Sequence, residues 1–179
     1  MTLWTIGHST RSLDDFVALL QSHGIRRLVD VRTIARSRHN PQFNSDRLAK
    51  GLKKAGLAYL HMPQLGGLRK PRKDSVNAGW KNTSFRGYAD YMQTEPFSNA
   101  LEKLTASSQK MSTAIMCAEA VPWRCHRSLI ADALAVRGWT VRHIMTPAKA
   151  DKHRITAFAV IDQDRLTYPP PDAPQAHTS

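Results

Sequence analysis

Apolar runs of strand length alternate along this chain with segments whose apolar residues recur every three or four positions, and no other feature restricts its fold so strongly. A strand, a helix long enough to cross back and a further strand pack as a right-handed βαβ unit, so repeated alternation predicts a parallel sheet. The first strand is read at Leu3-Trp4-Thr5-Ile6. Ser12 then caps a helix that shows Leu13, Phe16, Leu19 and Leu20 on one face and stops at Gly24. Arg27 to Val31 forms the second strand. A helix from about Ser45 presents Leu48 and Leu52 and ends near Gly56, ahead of a third strand at Leu57 to Leu60. A short helix is expected at Tyr88 to Met92, and a longer one from Thr94, with Pro96 in its first turn and Phe97, Leu101 and Leu104 as its stripe. Thr113 to Met116 reads as strand four. A helix from about Cys125 to Arg137 ends at Gly138 and leads into strand five at Thr140 to Ile144, with Thr156 to Ile161 as an added edge strand. The fold class is α/β: an open, mostly parallel, Rossmann-like sheet of about five strands with helices on both faces. No internal repeat is visible.

The chain has 179 residues, 41% of them apolar, enough for one good core and short for two, so residues 1 to 166 are expected to form a single domain. Beyond it, 167 to 179 is rich in proline and small polar residues and is expected to be a disordered tail. No run approaches the roughly 18 apolar residues of a membrane span, and no signal peptide opens the chain, so a cytoplasmic protein without membrane partners is expected. Two cysteines, Cys117 and Cys125, are too few for a secreted disulfide framework and point to chemistry, a metal or burial.

The net charge of +12 is unevenly spread: residues 26 to 54 hold nine Lys and Arg against Asp30 and Asp46, and residues 69 to 86 hold six against Asp74. The remainder is neutral. Confinement of the excess to two stretches suggests an electropositive surface for a polyanion, although solvated surface segments would give the same count. The second stretch belongs to a long basic segment, 63 to 86, with Trp80 and Phe85 interleaved. A loop of that length is expected to be functional and to order on ligand binding.

In open parallel sheets ligands bind beyond the carboxyl ends of the strands, and those ends are polar here. Strand one runs into Gly7-His8-Ser9-Thr10, strand two into Asp30-Val31-Arg32, strand three into His61 and then Leu65-Gly66-Gly67, and strand four into Cys117-Ala118-Glu119. Singly, each has an ordinary reading, such as Ser9 or Thr10 capping a helix or Asp30 pairing with Arg32. Together at one edge they form what a binding cleft requires.

The segment from Cys117 to Arg127 says most. Arg124, His126 and Arg127 fall at the opening turn of a helix, where the macrodipole disfavours cations by about 0.3–1 kcal/mol each. An anion such as phosphate, held between them and the free helix N–H groups, would reverse that sign; the competing reading is that Arg124 and Arg127 point into solvent or pair with Glu119. Cys117, Cys125 and His126 also allow a divalent metal. Seven residues separate the cysteines, unlike a C-x-x-C knuckle, and further ligands would have to come from His8, Glu119 or His61, so the spacing does not favour the metal. Cys117 at a strand end is alternatively a nucleophile or a packing residue. Glu119 is the best acid/base candidate, and with Asp30 it could form a carboxylate pair across strand ends.

Thr5 to Thr10, Val29 to Arg32, Ser37-Arg38, Leu65-Gly66-Gly67, Gly87 to Met92, Met116 to Glu119 and Cys125-His126-Arg127 together resemble the motif series of the bacterial domain of unknown function 488 family. The resemblance spans most of residues 3 to 145 and implies an α/β fold with a common site, but no established reaction. Strand ends and motifs together mark Glu119, Cys117, Asp30 and His8 as catalytic candidates. They mark Ser9, Thr10, Arg32, Ser37, Arg38, Gly66, Gly67, Tyr88, His126 and Arg127 as candidates for phosphate or substrate binding.

Two functions of different class follow. In the first, the protein is an enzyme on nucleic acid or nucleotide, with Glu119 or Cys117 doing the chemistry, His8, Ser9, Arg38 and Arg127 on phosphate, and the 63 to 86 loop closing over substrate. In the second, it is a nucleic-acid-binding protein in which Trp80 and Phe85 stack on bases and the Cys/His cluster is structural or holds a metal.

Overall fold

In the computed structural model, which describes residues 1–172, five strands run parallel: β1 (Thr2–Gly7), β2 (Arg27–Asp30), β3 (Ala58–His61), β4 (Thr113–Cys117) and β5 (Thr140–Thr146). A sixth, β6 (Lys149–Lys152), returns antiparallel along β5, so the sheet order is β3-β2-β4-β1-β5-β6. β4 lies between β2 and β1 and is buried along its whole length, which is why it reads as an unbroken run rather than an alternating one.

Five helices cover the sheet: α1 (Leu13–Ser22), α2 (Ser45–Lys54), α3 (Thr83–Tyr91), α4 (Glu95–Ser108) and α5 (Arg127–Val136). Side chains alternate across each strand, and the core divides accordingly. Leu3, Val29 and Ile115 face Phe97, Leu101, Leu129 and Ile130 of α4 and α5. Ile6, Leu28, Ala114 and Met116 face Phe16, Leu20, Leu48 and Leu52 of α1 and α2 on the other side. Truncating any one of these buried leucines to alanine costs about 2–5 kcal/mol. The N-terminus of α1 is as expected, with Ser12 Oγ accepting from the Asp15 N–H at 3.1 Å.

Three expectations change. Residues 156 to 161 do not form an edge strand of the main sheet; β6 takes that place, and β7 (Val160–Asp162) pairs with β8 (Arg165–Thr167) in a separate hairpin. α3 starts at Thr83 rather than near Tyr88, because the Asn82 side chain accepts from the N–H groups of Ser84 and Phe85 and nucleates the first turn. The domain does not stop at 166: Tyr168 is fully buried, and its hydroxyl donates to Asp132 at 2.8 Å. Residues 173 to 179 of the expected tail lie outside the described residues.

The basic segment from 63 to 86 has its own anchors. Asp90 on α3, 5% exposed, accepts from the Arg72 N–H (2.8 Å), the Ser75 hydroxyl (2.6 Å) and the Asn77 amide (2.8 Å). Fully buried Asn77 in turn accepts from the Tyr168 N–H at 2.9 Å, so loop and C-terminal segment are tied to one carboxylate. Asp90→Ala leaves these donors unmatched and is expected to lower stability by about 2 kcal/mol. An unchanged urea midpoint would show that the loop draws nothing from Asp90.

Helix α1, after β1, packs on one face, and α5, after β4, on the other, although β1 and β4 are neighbours. A crevice opens where connections diverge in this way, beyond the carboxyl ends of the strands.

Candidate active-site cleft

A cleft of about 440 Å³ occupies this switch point. His8 enters it from the end of β1; Arg32 to Ile34, Arg36 and Ser37 from the loop after β2; Cys117 to Glu119 and Arg124 to His126 from β4 and the turn before α5. Gly67, Leu68, Ser84 and Phe85 close the side formed by the basic segment. A hollow of about 580 Å³ beside α4 and the β7–β8 hairpin contains no cysteine, histidine or strand end of the sheet.

Backbone pairing carries β1 and β4 past their formal ends into the cleft: the His8 N–H donates to Cys117 O and the Ser9 N–H to Ala118 O, both at 2.9 Å. Gly7 permits this approach, since a Cβ there would stand 1.8 Å from the Glu119 carbonyl oxygen. Ser9 takes up the turn at φ 51°, and its carbonyl accepts from His8 Nδ1 at 2.7 Å. The bare Nε2 of His8 therefore faces Arg32 Nη1, at 3.4 Å. Burial, reinforced by the Arg32 charge, lowers the His8 pKa and keeps the ring neutral.

Asp30 and Arg32 share one side of the chain after β2 and form a buried bidentate pair, with Oδ1–Nε at 2.9 Å and Oδ2–Nη2 at 2.7 Å. Asp30, fully enclosed, also accepts from the Tyr59 hydroxyl at 2.8 Å. The Asp30 carboxylate is thus committed to orienting Arg32, and the expected carboxylate pair with Glu119 across the cleft is not formed: Glu119 lines the cleft and Asp30 does not.

Arg127 is the larger correction. It is 1% exposed, and its guanidinium donates to the backbone carbonyls of Glu119 and Ala120, at 3.0 Å for the latter. A cation against the helix dipole is stabilised here by carbonyl dipoles of the preceding loop, so Arg127 is a backbone clamp with no phosphate contact open to it. Tyr88, fully buried, donates to Leu65 O at 2.7 Å and lies against the His126 ring, 5.0 Å between centroids, so it supports the site without facing it. Gly66 packs on Thr33, where a Cβ would meet Oγ1 at 2.3 Å. Thr10 and Arg38 are exposed and, like Ser9, are not part of the cleft lining. Ser37 does line it, while shaping its loop by accepting from the Asn40 N–H at 3.0 Å. Trp80 is half-buried, packs at a steep angle against Phe85 and Phe158, with centroids 5.0 and 4.9 Å away, and is not part of the cleft lining.

Sequence reasoning missed Arg36, Thr33, Ile34, Leu68 and Ser84 as lining residues. Only Arg36 carried a signal, as a member of the first basic stretch. Arg36 and Arg124 are exposed at the mouth and form no ion pair among the described residues. Beside them Ile34 and Leu68 are 63% and 80% exposed, Leu68 in the left-handed region at φ 57°. An exposed apolar side chain held in a strained backbone is a feature the fold alone does not require.

The floor consists of Cys117, Cys125 and His126. The Cys117 and Cys125 sulfurs lie 3.9 and 3.7 Å from His126 Nδ1, and the three ligand-capable atoms are all within 4.8 Å of one another. His126 Nε2 donates to Val31 O at 3.1 Å, which turns Nδ1 toward the sulfurs. Hydrogen bonding to Cys125 and then to His126 holds the Cys117 thiol well below its ordinary pKa despite burial, whereas the hydrogen bond to Cys117, together with burial, raises Cys125.

These features define a class: an open, mostly parallel α/β protein with a cleft at its topological switch point. The family model described as "Domain of unknown function DUF488" matches residues 12–134, and the chain belongs to that family. No match was found among curated proteins or among solved structures. No helix among the described residues is long and apolar enough to cross a membrane.

Proposed function

We propose that this protein is a cytoplasmic enzyme, a hydrolase or transferase, acting on a phosphate-bearing substrate, nucleotide or nucleic acid, in the cleft beyond β1, β2 and β4. One observation carries the reading: a concave site with chemically reactive side chains on its floor has at its mouth two arginines, Arg36 and Arg124, that form no ion pair among the described residues. Guanidinium groups match phosphate oxygens in charge and geometry. Ile34, Leu68 and Phe85 supply apolar surface for the flat part of a nucleotide, and Glu119 is the carboxylate within reach of substrate for proton transfer. Closely apposed free thiols suit a reducing compartment. A binding module without chemistry is supported less well, because Trp80 is packed against Phe85 and Phe158 and does not line the cleft.

The test is turnover of a panel of nucleotides and short DNA and RNA oligonucleotides, with products resolved by mass. Wild type is expected to convert at least one class. The Arg36→Ala/Arg124→Ala double variant should bind that substrate roughly 100-fold more weakly, with a shallower salt dependence and unchanged thermal stability. No conversion of any member, or equal salt-dependent binding by the double variant, would overturn the proposal.

A further inference from the structure

We infer that Cys117, Cys125 and His126 form a three-ligand zinc site whose fourth position opens into the cleft. In a tetrahedral centre, Zn–S bonds of about 2.3 Å and Zn–N bonds of about 2.0–2.1 Å put neighbouring ligand atoms roughly 3.5–3.8 Å apart. The observed sulfur-to-nitrogen separations are 3.9 and 3.7 Å. Both sulfur-to-nitrogen edges are close to those of such a tetrahedron, and the two sulfurs lie within 4.8 Å of each other.

The surroundings serve the same geometry. Cys117 ends β4, and its backbone carbonyl is fixed by the His8 N–H. The 3-10 turn Pro122–Arg124 folds the chain back, so that Cys125 and His126 arrive beside the strand end just before α5. The Nε2–H to Val31 O hydrogen bond is what a metal-bound histidine ordinarily makes with its second nitrogen; it sets the tautomer and aims the Nδ1 lone pair at the sulfurs. Position 67 is glycine, and a Cβ there would lie 3.2 Å from Nδ1, so a side chain would crowd the ligand atom on its cleft side. Both cysteines are buried, yet all three residues and Gly67 line the cleft.

Two thiolates and an imidazole are a soft donor set that selects zinc over magnesium or calcium. Three protein ligands with an open fourth position make a catalytic rather than a structural centre. The seven-residue gap between the cysteines, which argues against a knuckle, is spanned by the turn. Zinc binding stands on the ligand geometry alone; the ion's role as a Lewis acid toward substrate oxygen rests on the enzymatic reading of the cleft. On this assignment Cys117 is a ligand rather than the nucleophile.

The experiment uses untagged protein, stripped with a chelator under reducing conditions and dialysed against Zn²⁺, or separately against Co²⁺. About one zinc per chain should remain bound by elemental analysis. The cobalt form should show the intense visible bands of a tetrahedral ion and a thiolate-to-cobalt charge-transfer band in the near ultraviolet. Cys125→Ser and His126→Gln should each weaken zinc binding by at least about 100-fold, while Arg36→Ala binds as wild type. A weak, octahedral cobalt spectrum, wild type retaining far less than one equivalent, or undiminished binding by folded variants would overturn the assignment. Should the variants fail to fold, the wild-type cobalt spectrum still decides. Turnover by zinc-free protein would reject the Lewis-acid role and leave the enzyme reading standing; zinc bound with the cobalt signature but no turnover would leave the metal site standing and reject the enzyme reading.

Discussion

Arg127→Met is expected to lower stability by about 3–4 kcal/mol and the melting temperature by roughly 10 °C. Methionine fills much of the volume but cannot donate, so the Glu119 and Ala120 carbonyls lose their partners, and the β4–α5 connection loses its only guanidinium clamp among the described residues. Arg127→Lys, which replaces a two-pronged donor with a point charge, should fall between the two. The comparison with Arg36 and Arg124 gives the prediction its force. Those residues should lose affinity and keep stability, because they are exposed at the mouth; Arg127 should lose stability first, because it is enclosed. Thermal melts of the variants decide: an Arg127→Met protein as stable as wild type would remove the clamp and return Arg127 to the list of ligand-binding groups.

What could be read in the sequence tracks the range of the interactions involved. α1 was legible from Ser12 and the Phe16–Leu19–Leu20 stripe, because caps and periodicity act within a turn or two. The Asp30–Arg32 pair was legible too, since residues two apart on extended chain share a side. Arg127 misled because its partners precede it by seven and eight residues across a turn; at the level of pattern, a cation at a helix start looks the same whether it meets an anion or carbonyls. For Cys117, Cys125 and His126, the residue types were visible, but their meeting depends on the fold-back at Pro122–Arg124. Tyr168 was hidden by the prolines that follow it, which suit an extended segment whether it is free in solvent or docked against Asn77 and Asp132. Arg36 was obscured by its basic neighbours, and only the path of the loop after β2 distinguishes it from Arg38.

A second buried network, absent from any local pattern, is expected to make the fold acid-sensitive. β5 and β6 pair antiparallel and bring His143 beside His153, with Nε2 and Nδ1 2.9 Å apart; His143 Nδ1 is 2.7 Å from Thr5 Oγ1, and His153 Nε2 is 2.8 Å from Asp132 Oδ1. The same Asp132 accepts from Thr156 N–H and hydroxyl and from the Tyr168 hydroxyl, so it fastens the C-terminal segment to α5. One proton on each imidazole satisfies the chain: Thr5 donates to His143, His143 to His153, and His153 to the carboxylate. A second proton on His143 faces burial and the neighbouring His153, which lower its pKa to about 4. In the unfolded chain the value returns to about 6.5, so unfolded protein binds more protons between these limits. The stability from keeping His143 neutral is therefore complete above about pH 6.5 and is lost as pH falls toward 4, to a total of about 3 kcal/mol. Other carboxylates titrate near the lower end, so the informative quantity is a difference. Urea denaturation of wild type and His143→Gln, whose amide keeps a donor and an acceptor in place, should show the variant losing about 3 kcal/mol less between pH 7 and pH 4. Parallel stability curves for the two proteins over that range would mean that His143 is not the group through which acid loosens the attachment of the C-terminal strands.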